Sequence, residues 1–193
     1  MCRILAFPLL AAVPVSLVIA GTASAAYAPN PIAQATILAC GTNQPLGVAF
    51  LREQKSDEGV KVVNVTVHVT DRNSLLSKGP HGVHIHEVGD CSAACAAAGG
   101  HFDPGPSSNP SPDGNHPFHM GDLVNIDIGD NGRGVMRTKT SRVTVSRGPL
   151  SVLDANGSAI IIHTGPDTYC PNGPVANCAG GSREACGIIR RAQ

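Results

Sequence analysis

A chain of 193 residues with 14 basic and 14 acidic side chains, no net charge and no basic block lacks the electrostatic footprint of a nucleic-acid binder. Aromatics make up 3% and tryptophan is absent, while 22 glycines and 15 prolines describe many short strands joined by turns. Beyond the first twenty residues no segment is apolar and long enough to span a bilayer.

The chain opens on one basic residue, an apolar run to Ala20 and the small-x-small site Ala23-Ser24-Ala25. That is the pattern of a secretory signal peptide over residues 1–25, leaving one domain over residues 26–193. A membrane anchor is the competing reading, but Pro8 and Pro14 interrupt the run and no basic stop-transfer cluster follows. The mature protein is therefore expected to be secreted, or periplasmic in a bacterium, without a membrane association. Cys2 leaves with the leader, and Cys40, Cys91, Cys95, Cys170, Cys178 and Cys186 remain. An even number in an oxidising compartment, with no C-x-x-C pair, predicts disulfides of open connectivity, in which Cys170 and Cys178 are placed to staple their own loop.

Strands are predicted over Gln34–Ala39, Gly47–Glu53, Val60–Thr70, His81–His86, Leu123–Ile128, Val135–Lys139, Arg142–Val145, Ser158–His163 and Ala185–Ile189. The clearest alternates Val63, Val65, Val67 and Val69 against Asn64, Thr66, His68 and Thr70, which describes a half-buried antiparallel strand with His68 on its solvated face. In Leu123–Ile128 the apolar face is expected to carry Val124, Ile126 and Ile128. Two long tracts, Gly89 to His119 and Thr164 to Ser182, show little strand pattern. No helical period holds over three turns. The expected fold is all-β: an eight-stranded antiparallel Greek-key barrel or sandwich with two long functional loops. Asn64-Val-Thr66 and Asn156-Gly-Ser158 are glycosylation sequons, eligible if the source is eukaryotic.

Against that plan the histidines stand out. Side chains alternate along a strand, so His84 and His86 share a face with Ile85 opposite, and two imidazoles one pleat apart can chelate one metal ion. Alone, this H-x-H is more often a polar pair on a solvated face. His101 and His119 in the long tract, His116 and Asp122 beside His119, and His163 at a strand end shift the balance toward a metal site.

These spaced residues resemble the copper/zinc superoxide dismutase family over nearly all of the mature chain. The resemblance implies that His84, His86, His101 and His163 hold copper, and that His101 in Gly-Gly-His101-Phe-Asp-Pro bridges to zinc. His119-Met-Gly-Asp122 matches the last zinc histidine and the zinc aspartate. The zinc histidine usual about nine residues before His119 has Pro110 in its place, which leaves His116 as the nearby candidate. Asp167 corresponds to the aspartate that ties a copper histidine to a zinc histidine. Gly181-Ser-Arg183-Glu-Ala-Cys186-Gly corresponds to the segment with the active-site arginine, whose competing reading is a surface ion pair with Glu184. A Cys95 to Cys186 disulfide is implied, because the span from His86 to His101 then aligns without a gap.

The activity implied by the resemblance is that of an oxidoreductase turning superoxide into dioxygen and hydrogen peroxide by copper redox cycling. Arg183 would attract the anion and His101 would exchange a proton; copper can change oxidation state and zinc cannot. Between Thr164 and Ser182 the one charged residue is Asp167, so lysine steering from that loop is not expected. The alternative is a secreted copper-binding module or catalytically silent relative. A homodimer is left open, and a zinc hydrolase is disfavoured because no H-E-x-x-H occurs.

Overall fold

The computed structural model describes residues 32–105 and 119–192; the expected signal peptide, His116 and Pro110 lie outside them. Among the described residues ten strands appear in chain order: β1 (Ile32–Ala39), β2 (Pro45–Lys55), β3 (Lys61–Thr70), β4 (Gly79–His81), β5 (Val83–His86), β6 (Ile126–Ile128), β7 (Arg133–Thr140), β8 (Ala159–His163), β9 (Arg183–Ile188) and β10 (Arg190–Arg191). Eight form one curled antiparallel sheet in the order β5-β8-β9-β1-β2-β3-β7, with β10 continuing along β1; β4 and β6 form a separate pair. This is the expected all-β antiparallel architecture.

The alternation in β3 determines which face is inside. Val63, Val65, Val67 and Val69 are buried, and β2 places Ala49 and Leu51 against them through the pairs Ala49↔Val67 and Leu51↔Val65. Each valine or leucine side chain here contributes about 1.5–3 kcal/mol by leaving water. Ile37 of β1, Val83 and Ile85 of β5, and Ile160 and Ile162 of β8 complete the same core.

Strands β5, β8 and β9 are buried on both faces. The register pairs His84 with Ile161 and His86 with Ala159, and Ile161 in turn with Cys186. Directly opposed residues share a face, so Ala159, Ile161 and Cys186 lie on the outer side with the two histidines. There they join a second, small apolar cluster with Cys95 and Ala98. The long loops cover this outer face, and the site is built outside the barrel core.

Three predicted strands are corrected. His81–His86 is broken at Gly82, whose N–H donates to Gly165 O (2.8 Å) and whose carbonyl accepts from His163 N (2.9 Å). Arg142–Val145 is not a strand. Val143 and Val145 are buried, but the segment is held as a loop by the buried carboxylate of Glu53, which accepts from Val145 N (2.7 Å), Ser146 N (2.8 Å) and Ser146 Oγ (2.7 Å). Leu123–Ile128 contracts to Ile126–Ile128, and Val124 is exposed where burial was expected, with Leu123 buried in its stead. The reason is Asn125, which leaves the ladder to bond Asp167: Nδ2 donates to Asp167 O (3.0 Å) and Oδ1 accepts from Asp167 N (2.9 Å).

Candidate metal centre

Three short backbone rungs assemble the site on the outer face of β5. Phe102 N–H donates to Ile85 O (2.8 Å) and His86 bridges His101, so the long tract is laid beside β5. Phe102 is buried in the core and anchors that crossing, which turns His101 outward beside His84 and His86. Next, Gly121 N donates to Phe102 O (2.8 Å), Ile85 N donates to Gly121 O (2.9 Å), and Asp122 bridges His84. His119 and Asp122 are thereby brought against His101. His163 arrives at the end of β8, opposite Arg183.

The result is two buried groups sharing one residue. His84, His86, His101 and His163 each offer a ligand atom within 4.8 Å of the others, and so do His101, His119 and Asp122. His101 belongs to both. Its Nδ1 is 2.7 Å from Asp122 Oδ1, while its ring centroid is 4.1 Å from that of His84 and 5.1 Å from that of His119. His119 N donates to Asp122 Oδ2 (3.0 Å), which orients the carboxylate.

Outer hydrogen bonds select the ligating nitrogens. His86 Nδ1 donates to Gly99 O (3.0 Å) and His163 Nδ1 donates to Gly181 O (2.8 Å), so Nε2 is the inward nitrogen of each. Those two Nε2 atoms are buried and have no hydrogen-bond partner. A buried nitrogen without a partner costs about 1–3 kcal/mol, a cost that a metal bond removes. His84 Nε2 is 2.9 Å from Asp167 Oδ2, which fixes that ring from outside and points its Nδ1 toward the group. Burial, helped by the facing imidazoles, pushes His163 down to about 3. Burial likewise brings His101 to about 4, against the opposing bond to Asp122, and drives His86 well below the ordinary range. Near neutral pH these imidazoles are in the uncharged form that binds metal. Four imidazoles without thiolate suit copper, and two histidines with a carboxylate suit zinc; the residues fit both.

The bond of Asp167 to His84 is in place, and Tyr169 N donates to Asp167 Oδ1 (2.7 Å). His116, the expected fourth zinc ligand, lies outside the described residues. Asn125, which clamps Asp167, was not identified from the sequence; it falls on the polar face of the expected alternation, where a solvated residue is the ordinary reading. Glu87 was missed too: its Oε1 accepts from Gly100 N (2.8 Å) and steadies the approach to His101.

Arg183 makes no pair with Glu184. Its guanidinium donates to the carbonyls of Cys95 (2.6 Å), Ala96 (3.1 Å) and Gly99, while Glu184 Oε2 lies 3.4 Å from His81 Nδ1. Half-buried, Arg183 stands with His163 on the wall of an open cavity of about 390 Å³. A fixed cation beside four imidazoles describes a seat for a small anion.

The implied Cys95 to Cys186 disulfide is corrected. Cys186 bonds Cys91, Cys95 bonds Cys40, and Cys170 bonds Cys178, with Cα separations of 5.7, 5.5 and 5.2 Å. Counting residues from His86 to His101 treats the intervening loop as extended. In the fold it coils, with Ala93, Ala94 and Cys95 at positive φ, and this aims Cys95 at Cys40 past the end of β1 and sets Cys91 over β9.

The family model for copper/zinc superoxide dismutase matches residues 46–189. The chain is 41% identical over 130 residues to the Cu-Zn superoxide dismutase of Deinococcus radiodurans, covering 61% of this chain and 66% of that one. It is 36% identical over 125 residues to the Cu-Zn superoxide dismutase of Legionella pneumophila, covering 64% and 70%. With Cu-Zn superoxide dismutase 3 of Arabidopsis thaliana the identity is 38% over 133 residues, covering 67% and 78%. The structure is similar to that of a double mutant of a SOD-like protein from Bacillus subtilis, with a TM-score of 0.59 at 29% identity over 80% of this chain and 95% of that one.

Proposed function

The chain belongs to the copper/zinc superoxide dismutase family, and from that premise we propose that His84, His86, His101 and His163 hold copper while His101, His116, His119 and Asp122 hold zinc. Its reaction is that of an oxidoreductase acting on superoxide, with dioxygen and hydrogen peroxide as products. The observation that supports the residue assignment is the sharing of His101 between two buried donor groups. Bound copper supplies one-electron redox cycling and bound zinc a fixed positive charge that tunes the shared imidazole.

The protein's own residues do the rest. Arg183 draws the anion to the open side of the four-histidine group, and its rigid carbonyl grip keeps the charge aimed. His101, with Nδ1 committed to the Asp122 side, exchanges a proton at Nε2 with the reduced oxygen species. Asp167 and the carbonyls of Gly99 and Gly181 hold the other three rings in the tautomers required. Residues 1–25 act as a signal peptide and residues 26–193 as the mature domain. Three disulfides support an oxidising destination, extracellular or periplasmic. Among the described residues no helix is long and apolar enough to cross a membrane.

The test is to load purified mature protein with copper and zinc and track superoxide decay alongside metal content. Turnover that requires copper supports the assignment. Stoichiometric copper without turnover leaves a copper-binding module instead.

A further inference from the structure

The linear sequence holds no basic block, but the sheet builds one. On the outer face of β1, β2, β3, β7 and β10 the register lays side chains in two neighbouring rows. Arg190 pairs with Gln34, Gln34 with Phe50, Phe50 with Thr66 and Thr66 with Arg137. One pleat along, Arg52 pairs with Asn64 and Asn64 with Lys139. Directly opposed residues share a face, and their neighbours Ala49, Leu51, Val65 and Met136 fill the core, so both rows point to solvent.

Arg52, Arg137, Lys139 and Arg190 are all exposed. The one acidic residue in these five strands is Glu53, and it is buried on the opposite face. Among the described residues none of the four cations is tied up in an ion pair. Strands lie about 4.8 Å apart and alternate residues about 6.8 Å apart, which sets Arg52, Arg137 and Lys139 about 7–10 Å from one another. In their midst stands Phe50, 43% exposed, with Val48 and Val135 also exposed beside it. Beyond Lys139 the face runs over the edge of β7 into an open cleft of about 500 Å³, walled by Arg142 and the hydroxyls of Thr138, Thr140 and Ser141.

We propose that this face binds an acidic polysaccharide, a linear sugar chain bearing sulfate or carboxylate groups. The spaced cations meet the repeated anions, Phe50 offers an aromatic platform to the C–H face of a sugar ring, and Gln34, Asn64 and Thr66 offer hydrogen bonds to hydroxyls. A second copy of this chain is a poor occupant, because a two-fold contact would set like charges against each other. An anionic membrane fits less well, since the apolar side chains lie level with the cations on a strand surface instead of on a projecting loop. Strands β8, β9 and β1 separate β5, where the metal centre stands, from β2, so occupation of this face leaves the cavity beside Arg183 open.

The experiment measures binding of the full mature protein, loaded with copper and zinc, to immobilised dextran sulfate, polygalacturonate and neutral dextran by surface plasmon resonance. Binding to a charged chain and not to dextran, lost on raising salt from about 50 mM to about 0.5 M, is the expected result. Dextran sulfate alone would make the partner a sulfated chain and polygalacturonate alone a uronate one; binding to neither would overturn the proposal. Arg52→Gln/Arg137→Gln/Lys139→Gln should lose at least about tenfold in affinity at low salt while keeping its copper and melting temperature. Arg72→Gln/Lys78→Gln/Arg147→Gln removes the same charge from exposed loop positions and should stay within about twofold of the unmodified protein. Equal losses in the two triple variants would overturn the proposal, leaving net charge as the cause. Phe50→Ser keeps every charge and is expected to lose about fivefold; it carries the comparison if a triple variant fails to accumulate, and unchanged affinity would overturn the sugar platform. Phosphatidylglycerol vesicles or duplex DNA bound as tightly as the charged polysaccharides would overturn the choice of partner.

Discussion

Replacing Arg183 with isoleucine isolates the charge that the site offers its substrate. Two unit charges about 5 Å apart interact by about 0.8 kcal/mol in bulk water and about 3.3 kcal/mol at an effective dielectric of 20. Arg183 is half-buried on the wall of an open cavity, so the appropriate figure lies toward the watery limit. About 1.4 kcal/mol corresponds to a tenfold loss in kcat/KM. Pulse radiolysis over a range of ionic strength, with copper measured on the same samples, reads this directly. Arg183→Ile is expected to lose about tenfold at low salt, to keep its copper, and to show a flatter salt dependence than the wild type, since the missing charge can no longer be screened. Arg183→Lys should recover part of the rate, because it restores charge but not the fork that bonds Cys95, Ala96 and Gly99 together. Unchanged turnover of Arg183→Ile at moderate salt would refute the role, and so would a loss that tracks departing copper.

Three further predictions concern metal and stability. Zinc retention should fall sharply in His116→Ala while copper stays near one equivalent; full zinc in the variant, measured by metal analysis, would remove His116 from the ligand set. Gly121→Ala should fail to hold zinc, because a Cβ there runs into the Ile85 carbonyl that β5 uses to receive the site; intact zinc and an unchanged melting temperature would count against it. Burial raises the Glu53 carboxyl, but bonds from Ser146 and Val145 and the charge of Lys61 outweigh it and hold the group below its ordinary value of 4.5. A depressed carboxyl stabilises above its unfolded pKa and loses that contribution as pH falls through the folded one. Glu53→Gln should therefore cost about 1–3 kcal/mol in urea unfolding at pH 7, with the gap to wild type closing below about pH 4; a gap independent of pH would contradict this.

The division between legible and hidden features runs along the range of the interaction. The valines of β3 and the isoleucines of β8 are legible because burial on one or both faces dictates local pattern. The histidine constellation is legible because ligands at fixed spacings carry chemistry in their identity. Arg142–Val145 misled because its alternation is real, with Val143 and Val145 buried, yet a carboxylate about ninety residues earlier captures its backbone N–H groups. Asn125 was hidden for the same reason, since its partner Asp167 is distant in sequence. The cysteine pairing failed on a count of residues. The span from Cys91 to Cys95 is short enough for either to meet Cys186, and only the left-handed turn decides between them.

Strand β5 has a consequence for how this protein tolerates change. Val83 and Ile85 face the barrel interior, and His84 and His86 face the ligand cage, so neighbouring positions on one strand answer to separate demands. A mutational scan along it should oscillate with a period of two. Folded yield should drop at 83 and 85 with catalysis per folded molecule preserved. At 84 and 86 the soluble protein should accumulate while losing its copper. The same beat should appear in β8, between Ile160 or Ile162 and His163. Selection can therefore retune the chemistry of this chain without reopening the packing problem that its interior has already solved.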